Sequence, residues 1–527
     1  MRFFNTAGPV NPALHYCLDP LRRLELDALL LLIEQQKYFI LHAPRQTGKT
    51  SCLLALVEFL NGTGRYRCVY ANWEIGQAAR EDVAAAMPAL LNELAERARL
   101  ILDDPWPAGR WLTLLREVGP FGALNGLLTE WSLQDSRPLV VLLDEVDALV
   151  GDTLIAVLRQ LRGGYDKRPR AFPQTVILCG VRDVRDYRIH SGSTKEIITG
   201  GSAFNIKAKS LRLGNFTAGD MRALYAEHTA ATGQRFTKDA LERAWALSRG
   251  QPWLVNALGY ETCFELPGGR DRAQPITADL LDEAKEALIL RRETHLDQLA
   301  DKLREPRVRR VIEPLLSGDD LQGQASEEDI QYVLDLGLID RIEGQLAIAN
   351  ATYREIIPRQ LTYVQQLDLE AAQKTAWYLR PDDRLDEDKL LAGFQDFFRE
   401  HSEHWLRRFD YQEAGPQLLL QAFLQRLVNG GGRVEREYGL GRGRTDLLVL
   451  WRHSGGVQKI VIELKILRKS LMRTLAEGLE QTWQYLDRVG EGSGHLVVFD
   501  RGDRSWDEKI YRREETYQGR RIVVWGC

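Results

Sequence analysis

The stretch FILHAPRQTGKTSCLLALVEFL, residues 39–60, puts Gly48, Lys49 and Thr50 at the joint between an apolar strand-like run and an apolar helical run. A strand that ends in a short loop and reopens as a helix aims backbone N–H groups and a helix N-terminus at one point, which suits a polyphosphate. The loop before that joint is Ala43, Pro44, Arg45, Gln46 and Thr47, and together these residues follow G-x-x-x-x-G-K-[ST] except that Ala43 stands at the first glycine. Alanine lacks glycine's freedom at positive φ, so the start of the loop is expected to use ordinary backbone angles.

A second group of charges sits where it could serve that phosphate. PLVVLL, residues 138–143, reads as a buried strand running into Asp144, Glu145 and Asp147, at the strand end where open α/β sheets hold ligands. Lys49 would then neutralise β/γ-phosphate charge, Thr50 would ligate Mg²⁺, Asp144 would hold the metal through water, and Glu145 would orient or deprotonate the attacking water. The competing reading has these acids merely ending a strand and capping the helix that follows. The presence of both motifs favours chemistry.

A third constellation lies near the C-terminus. Thr445–Trp451 and Lys459–Lys465 read as two strands joined through a Ser-Gly-Gly loop, hence a hairpin. Asp446 begins the first strand, while Glu463 and Lys465 lie two apart on one face of the second. Carboxylate oxygens suit Mg²⁺ or Mn²⁺, and such a metal with a lysine can activate water and stabilise the pentavalent phosphate of a cleaved phosphodiester. An exposed E-x-K face made for solubility is the bland alternative. Against it, Val461, Ile462 and Leu464 mark a largely buried strand, where a glutamate and a lysine need a reason to be present.

Elements must position these groups. Across residues 21–205, LLLLIEQQ, YFILHA, RCVYANWE, a helical stretch from Ala78 to Arg99, RPLVVLLDEVD and PQTVILCGVRD alternate helices with short continuous apolar strands. That pattern predicts an α/β fold with a parallel sheet covered on both faces. Residues 206–300 read as a helical lid, 301–365 as a winged helix with strands in GLIDRIEGQLAIAN, 366–414 as a charged helical linker and 415–527 as a separate α/β domain. The second helix of the winged segment, EEDIQYVLDLG, is acidic where a DNA reader would be basic, which favours a protein partner there.

Composition bounds the classes. With 527 residues, 44% hydrophobic and 27% charged, the chain has globular composition and room for several domains. No apolar run reaches the ~18–20 residues of a membrane span, and the opening MRFFNTAGPVNP lacks a long apolar signal region, so a cytoplasmic protein with no membrane partner is expected. Six cysteines, at 17, 52, 68, 179, 263 and 527, form no C-x-x-C pair and read as reduced thiols. The net charge of −4 conceals an asymmetry: residues 415–527 carry 19 Lys and Arg against 14 Asp and Glu. A phosphate backbone therefore suits the last domain better than the acidic remainder, although so small an excess also fits a merely soluble surface.

HYCLDPLRR, the loop ending in GKTS, VVLLDEVD and Gly250-Gln251-Pro252 together resemble the prokaryotic AAA-like and STAND-type P-loop ATPases, over roughly residues 8–365. The resemblance implies ATP and Mg²⁺ as cofactors, places Pro252 and Tyr16 near the base, and puts Arg182, after the strand TVILCG, near the γ-phosphate. Tyr16 and Pro252 equally suit packing residues, and Arg182 a surface arginine. The spacing D-x₁₆-E-x-K, Gln481 and Tyr485 at i, i+4 on the next helix, and the strand HLVVFD resemble the PD-(D/E)XK nuclease superfamily. Some relatives carry a further acid on the preceding helix, where this chain has Gln421 and Gln425; Glu437 is the substitute on offer.

The combined expectation is an ATPase whose nucleotide state controls a metal-dependent C-terminal nuclease acting on DNA, with prokaryotic defence as an analogy. The alternative is a signalling or regulatory ATPase whose nuclease-like domain only binds a nucleic acid or a protein. A nucleotide-dependent homo-oligomer is compatible with either, since no residue fixes the oligomeric state.

Overall fold

The computed structural model describes residues 1–181, 189–190, 197–198, 209–291, 302–317, 325–342, 344–361, 378–406, 419–421, 423–424, 432–437, 446–467, 470–500, 502 and 504–527. It divides into two compact units, Met1–His295 with Asp335–Gly337, and Leu296–Leu334 with Leu338–Cys527.

In the first unit, strands β1 (Phe3–Phe4) and β2 (His15–Tyr16) form a short parallel pair. The main sheet contains β3 (Phe39–His42), β4 (Arg67–Asn72), β5 (Leu139–Asp144) and β6 (Thr175–Gly180). A separate short antiparallel pair, β7 (Ile189–His190) and β8 (Ile197–Ile198), precedes β9 (Lys209–Arg212), which joins the main sheet. The sheet order is β4-β5-β6-β3-β9, parallel throughout. The apolar runs are continuous because both faces are covered. Val69, Ala71, Val141 and Leu143 face one core, and Cys68, Tyr70, Val140 and Leu142 face the other. Helices α1 (Leu26–Glu34) and α2 (Lys49–Gly62) pack on the second face. Helices α3 (Val83–Leu102), α4 (Trp106–Val118), α5 (Ala123–Ser132) and α6 (Gly151–Gly163) line the first.

Two local features differ from the sequence expectation. The stretch read as one helix from Ala78 splits into a 3₁₀ segment, Trp73–Ala79, and α3, because Asp82 caps α3 by accepting from the Ala84 and Ala85 amides at 3.0 Å each. The helical pair α4–α5, cross-braced by Arg110 to Glu117 and Glu130, stands where no element was anticipated.

The segment after β9 folds as α7 (Ala218–Thr232), α8 (Lys238–Ser248) and α9 (Pro252–Tyr260). Thr217 and Asp220 form a capping box at α7, and Pro252 opens α9 at a position where its missing N–H costs nothing. Gly250 joins the last two helices with φ 74°, and a Cβ there would lie 1.9 Å from the Phe216 carbonyl oxygen, so only glycine fits.

The second unit carries helix Pro306–Ser317, helix Glu327–Asp335 up to Leu334, then the antiparallel hairpin β10 (Ile339–Ile342) and β11 (Gln345–Ile348) and helix Ala351–Leu361. Its main sheet contains β12 (Gly432–Glu437), β13 (Asp446–His453), β14 (Gly456–Ile466), β15 (Ser493–Phe499), β16 (Tyr511–Tyr517) and β17 (Arg520–Gly526), in the order β12-β13-β14-β15-β17-β16. Helix Leu471–Val489 links the parallel strands β14 and β15, and helix Glu387–Leu406 lies on the sheet through Gln395, which donates to the carbonyls of Tyr511 and Gly526.

That last helix is also held by its first residue. Glu387 accepts from His495 Nε2 at 2.9 Å and from Gln458 Nε2 at 2.9 Å, while His495 Nδ1 accepts from Trp525 Nε1 at 3.1 Å. Burial works to raise the Glu387 carboxyl, but the His495 and Gln458 contacts bring it below its usual range. A depressed carboxylate stabilises the fold above its unfolded-state value, and that contribution fades as pH falls through the folded-state value. Glu387→Gln is therefore expected to lower the Tm at neutral pH, by about 1–2 kcal/mol of stability, and the gap to the parent should narrow in acid. A gap that widens in acid would contradict this.

Candidate functional sites

The loop between β3 and α2 takes its left-handed turns at Gln46 (φ 57°) and Gly48 (φ 83°), while Ala43 keeps an ordinary φ. Alanine at 43 therefore needs no left-handed backbone angle here. Ala43 donates its amide to the Gly180 carbonyl at 3.2 Å, tying the start of the loop to the end of β6. Buried Thr47 closes the loop on itself, its hydroxyl donating to the Pro44 carbonyl at 2.8 Å. Lys49, 5% exposed, donates through Nζ to the carbonyls of Ala43 at 3.1 Å and Pro44 at 3.2 Å. Arg45 lies within the same loop.

The acidic strand end meets this loop. Thr50 Oγ1 donates to Asp144 Oδ2 at 2.7 Å, joining two motifs 94 residues apart. Tyr70 donates its hydroxyl to the same oxygen at 3.1 Å, and the Glu145 amide donates to Asp144 Oδ1 at 3.0 Å. Thr50 and Asp144 offer hard oxygen ligands of the kind Mg²⁺ takes, so the residues present fit that ion. Glu145 follows in a left-handed conformation, φ 53°. Burial raises its carboxyl above the ordinary range, and Asp147 and Asp144 add to that, opposed by Lys49 and Arg45. A glutamate so placed is better able to accept a proton near neutral pH.

A cavity of about 500 Å³ opens over the loop, with Lys49, Thr50 and Glu145 in its lining. Its lining also takes in the N-terminal segment and α9. Trp253 Nε1 donates to the Thr6 carbonyl at 3.1 Å, the Asn5 amide donates to Asn256 Oδ1 at 3.2 Å, and the Val10 amide donates to Ser51 Oγ at 3.0 Å. Residues 5–10 therefore connect the loop helix α2 to α9. Tyr16 and Pro252 both line this cavity. Tyr16 is also packed edge-on against Phe4, 4.9 Å between centroids, and its hydroxyl lies 3.3 Å from buried His228 Nδ1. Arg182 lies outside the described residues.

Two cavity residues carried no signal in the sequence. Arg23, in the run LDPLRR, reaches the Thr47 carbonyl at 2.5 Å and the Gly214 carbonyl at 2.6 Å, with its guanidinium 4.9 Å from the Phe216 ring centroid. It clamps the loop to the chain that leads into α7. Arg97, on α3, lines the same cavity. Both sit among other basic residues on helical segments, a pattern that most often marks a solvated face.

In the second unit, the β13–β14 ladder places Asp446 directly opposite Glu463, and the β12–β13 ladder places Glu437 opposite Asp446. The three positions share one rung across three strands. Glu463 is fully buried, and Lys465 Nζ donates to its Oε1 at 2.5 Å. An ion pair taken out of water in this way is costly unless well hydrogen-bonded. On helix Leu471–Val489, Tyr485 is fully buried and Gln481 half-buried, one turn apart on the side that packs toward the sheet. Gln421 is buried, whereas Gln425 falls outside the described residues.

No family model and no curated protein matches this chain. Among solved structures, a Walker-type ATPase of Pyrococcus abyssi is similar at 16% identity and TM-score 0.45, covering 67% of this chain and 99% of that one. The RuvB Holliday junction branch migration motor of Thermotoga maritima is similar at 14% identity and TM-score 0.33, over 63% of this chain and 93% of its own. Cdc6p of Pyrobaculum aerophilum is similar at 16% identity and TM-score 0.36, over 73% and 95%. Among the described residues, no helix is long and apolar enough to cross a membrane.

Proposed function

We propose that the chain binds and hydrolyses ATP with Mg²⁺ in its first unit, and that nucleotide state there controls a metal-dependent nuclease in its second. The observation that carries the ATPase reading is the 2.7 Å hydrogen bond between Thr50 and Asp144. It brings a phosphate-type loop and an acidic strand end to one cavity, with Lys49 and Glu145 in the same lining. In the reaction, Lys49 exchanges its loop carbonyls for β/γ-phosphate oxygens. Thr50 and Asp144 would hold Mg²⁺, which would supply charge stabilisation to those oxygens. Glu145 accepts the proton of the attacking water. The water oxygen bonds to the γ-phosphorus while the bridging oxygen leaves with ADP.

For the second unit, Asp446 opposite Glu463, with Lys465 on the same face, supports a phosphodiester hydrolase of the PD-(D/E)XK kind. DNA is the proposed substrate, residues 301–365 a site for a protein partner, and prokaryotic defence the proposed setting. The test uses the purified full chain: calorimetric titration with Mg·ATP, phosphate release, and nicking of supercoiled plasmid in Mg²⁺ or Mn²⁺ with and without ATP. Binding and turnover with nicking that responds to ATP supports the whole reading. Turnover with no cleavage under any metal condition makes the second unit a binding module, and the protein a regulatory ATPase.

A further inference from the structure

Arg97 projects from α3 beside β4, the edge strand of the parallel sheet, into the cavity that Lys49, Thr50 and Glu145 also line. Its guanidinium stands over the Tyr70 ring, 5.4 Å from the centroid. The Tyr70 hydroxyl donates to Asp144 Oδ2, the oxygen that also accepts from Thr50. A single ring thus separates this cation from the carboxylate that would hold the metal. Arg97 Nε is engaged by Glu93, one helical turn earlier, at 2.7 Å. Glu93 is itself fixed at the sheet, where its Oε1 accepts from the Asn72 amide at 3.4 Å. Among the described residues, neither Nη1 nor Nη2 has a hydrogen-bond partner, and the side chain is 36% exposed.

An arginine that lines a cavity, is held by its stem and its Nε, and has both terminal nitrogens without a partner among the described residues is preorganised for an anion. Stacking on Tyr70 and pairing with Glu93 fix the fork, so little rotamer freedom is lost when it engages a ligand. The cavity lining also holds two acids, Glu74 and Glu145. The acids disfavour a bound anion unless cations compensate, and Arg97 is one of the cations in the lining with Lys49 and Arg23.

We propose that Arg97 is a catalytic cation for ATP hydrolysis, supplied by the same chain that supplies the loop. The inference rests on the ATPase reading above. Its Nη groups would donate to the γ-phosphate oxygens as the bond to the bridging oxygen breaks and its electron pair moves onto ADP. The attacking water's proton still goes to Glu145, and Arg97 transfers none. A cation used only in the transition state raises turnover and leaves nucleotide affinity nearly unchanged.

The experiment compares the full chain with Arg97→Ala and Arg97→Lys. ADP and ATP affinities are measured by calorimetry, turnover by phosphate release across a 100-fold range of protein concentration, and trapping by retention of Mg·ADP with aluminium fluoride. Arg97→Ala should bind both nucleotides within about threefold of the parent, lose roughly 10³-fold in kcat and fail to form the trapped complex. Arg97→Lys, which keeps a cation on a similar stem, should recover part of the rate. Specific activity should not vary with protein concentration. Unchanged kcat and normal trapping in Arg97→Ala overturn the inference and leave the ATPase reading intact. Equal losses in ADP affinity and turnover overturn it too, by assigning Arg97 to packing against Tyr70. Activity that rises with concentration and is indifferent to Arg97 gives the cation to a second chain. A parent protein that binds no nucleotide removes the ATPase reading itself.

Discussion

Lys49→Ala is expected to abolish ATP binding, whereas Glu145→Gln should bind ATP as the parent does and lose turnover. The two outcomes differ because the residues act at different moments. Lys49 is 5% exposed and holds its charge against two loop carbonyls, so a polyphosphate is the partner that can replace them with full charge complementarity. Its removal takes away ground-state binding, and calorimetry should register no heat at ATP concentrations that saturate the parent. In the proposed reaction Glu145 would take the proton of the attacking water, so its amide variant should drop kcat by about 10²–10⁴-fold with affinity retained. A pH profile adds a sign. Burial raises the Glu145 carboxyl, and only the ionised form accepts a proton, so turnover should fall on the acid side at a pH above the ordinary glutamate range. Wild-type-like ATP binding by Lys49→Ala would remove the phosphate-loop assignment altogether.

What the sequence made legible follows from which physical signals are local. The loop and the acidic strand end could be read because each is a short motif bounded by an apolar run, and a strand buried on both faces must be continuously apolar. The order of the strands could not be read. Strand β6 lies between β3 and β5, a long-range outcome that no residue near Lys49 encodes. Tyr70 looked like one more apolar position of β4, yet its hydroxyl holds Asp144. Arg23 and Arg97 escaped for a related reason: their meaning lies in a carbonyl at Gly214 and a ring at Tyr70, distant in the chain. The stretch of α4 and α5 carries Pro105, Pro107 and Gly119, residues that punctuate a helical pattern, and the sequence reading assigned no element there.

The C-terminal hairpin was more transparent. Once Ser454 and Gly455 are taken as its turn, Asp446 and Glu463 are equidistant from it and must face each other, as the ladder has them. What the pattern could not supply is how the lysine is used. Lys465 lies two residues beyond Glu463, hence on its side of the sheet, and donates to Glu463 Oε1 in a buried pair.

That pair decides the second large effect. If the second unit cleaves phosphodiesters, Asp446→Ala and Glu463→Ala should each eliminate metal-dependent nicking, because a hard divalent ion in this site would depend on their oxygens. Lys465→Ala should leave metal affinity close to the parent's while slowing cleavage roughly 10³-fold, the value of several kcal/mol of charge stabilisation at the pentavalent phosphate. Removal of the lysine also strips a fully buried Glu463 of its cation, so Lys465→Arg is needed beside it: a rate loss with an unchanged Tm isolates chemistry from folding. Gln481→Ala and Tyr485→Phe should be milder, since both stand on a helix packed against the sheet and would orient groups rather than carry charge. ATP turnover should survive every one of these changes, because the cavity with Lys49 belongs to the other unit. Purified parent protein that nicks neither DNA nor RNA in Mg²⁺ or Mn²⁺, with Asp446→Ala behaving as the parent does in cells, would leave the buried Glu463–Lys465 pair a structural feature of a binding module.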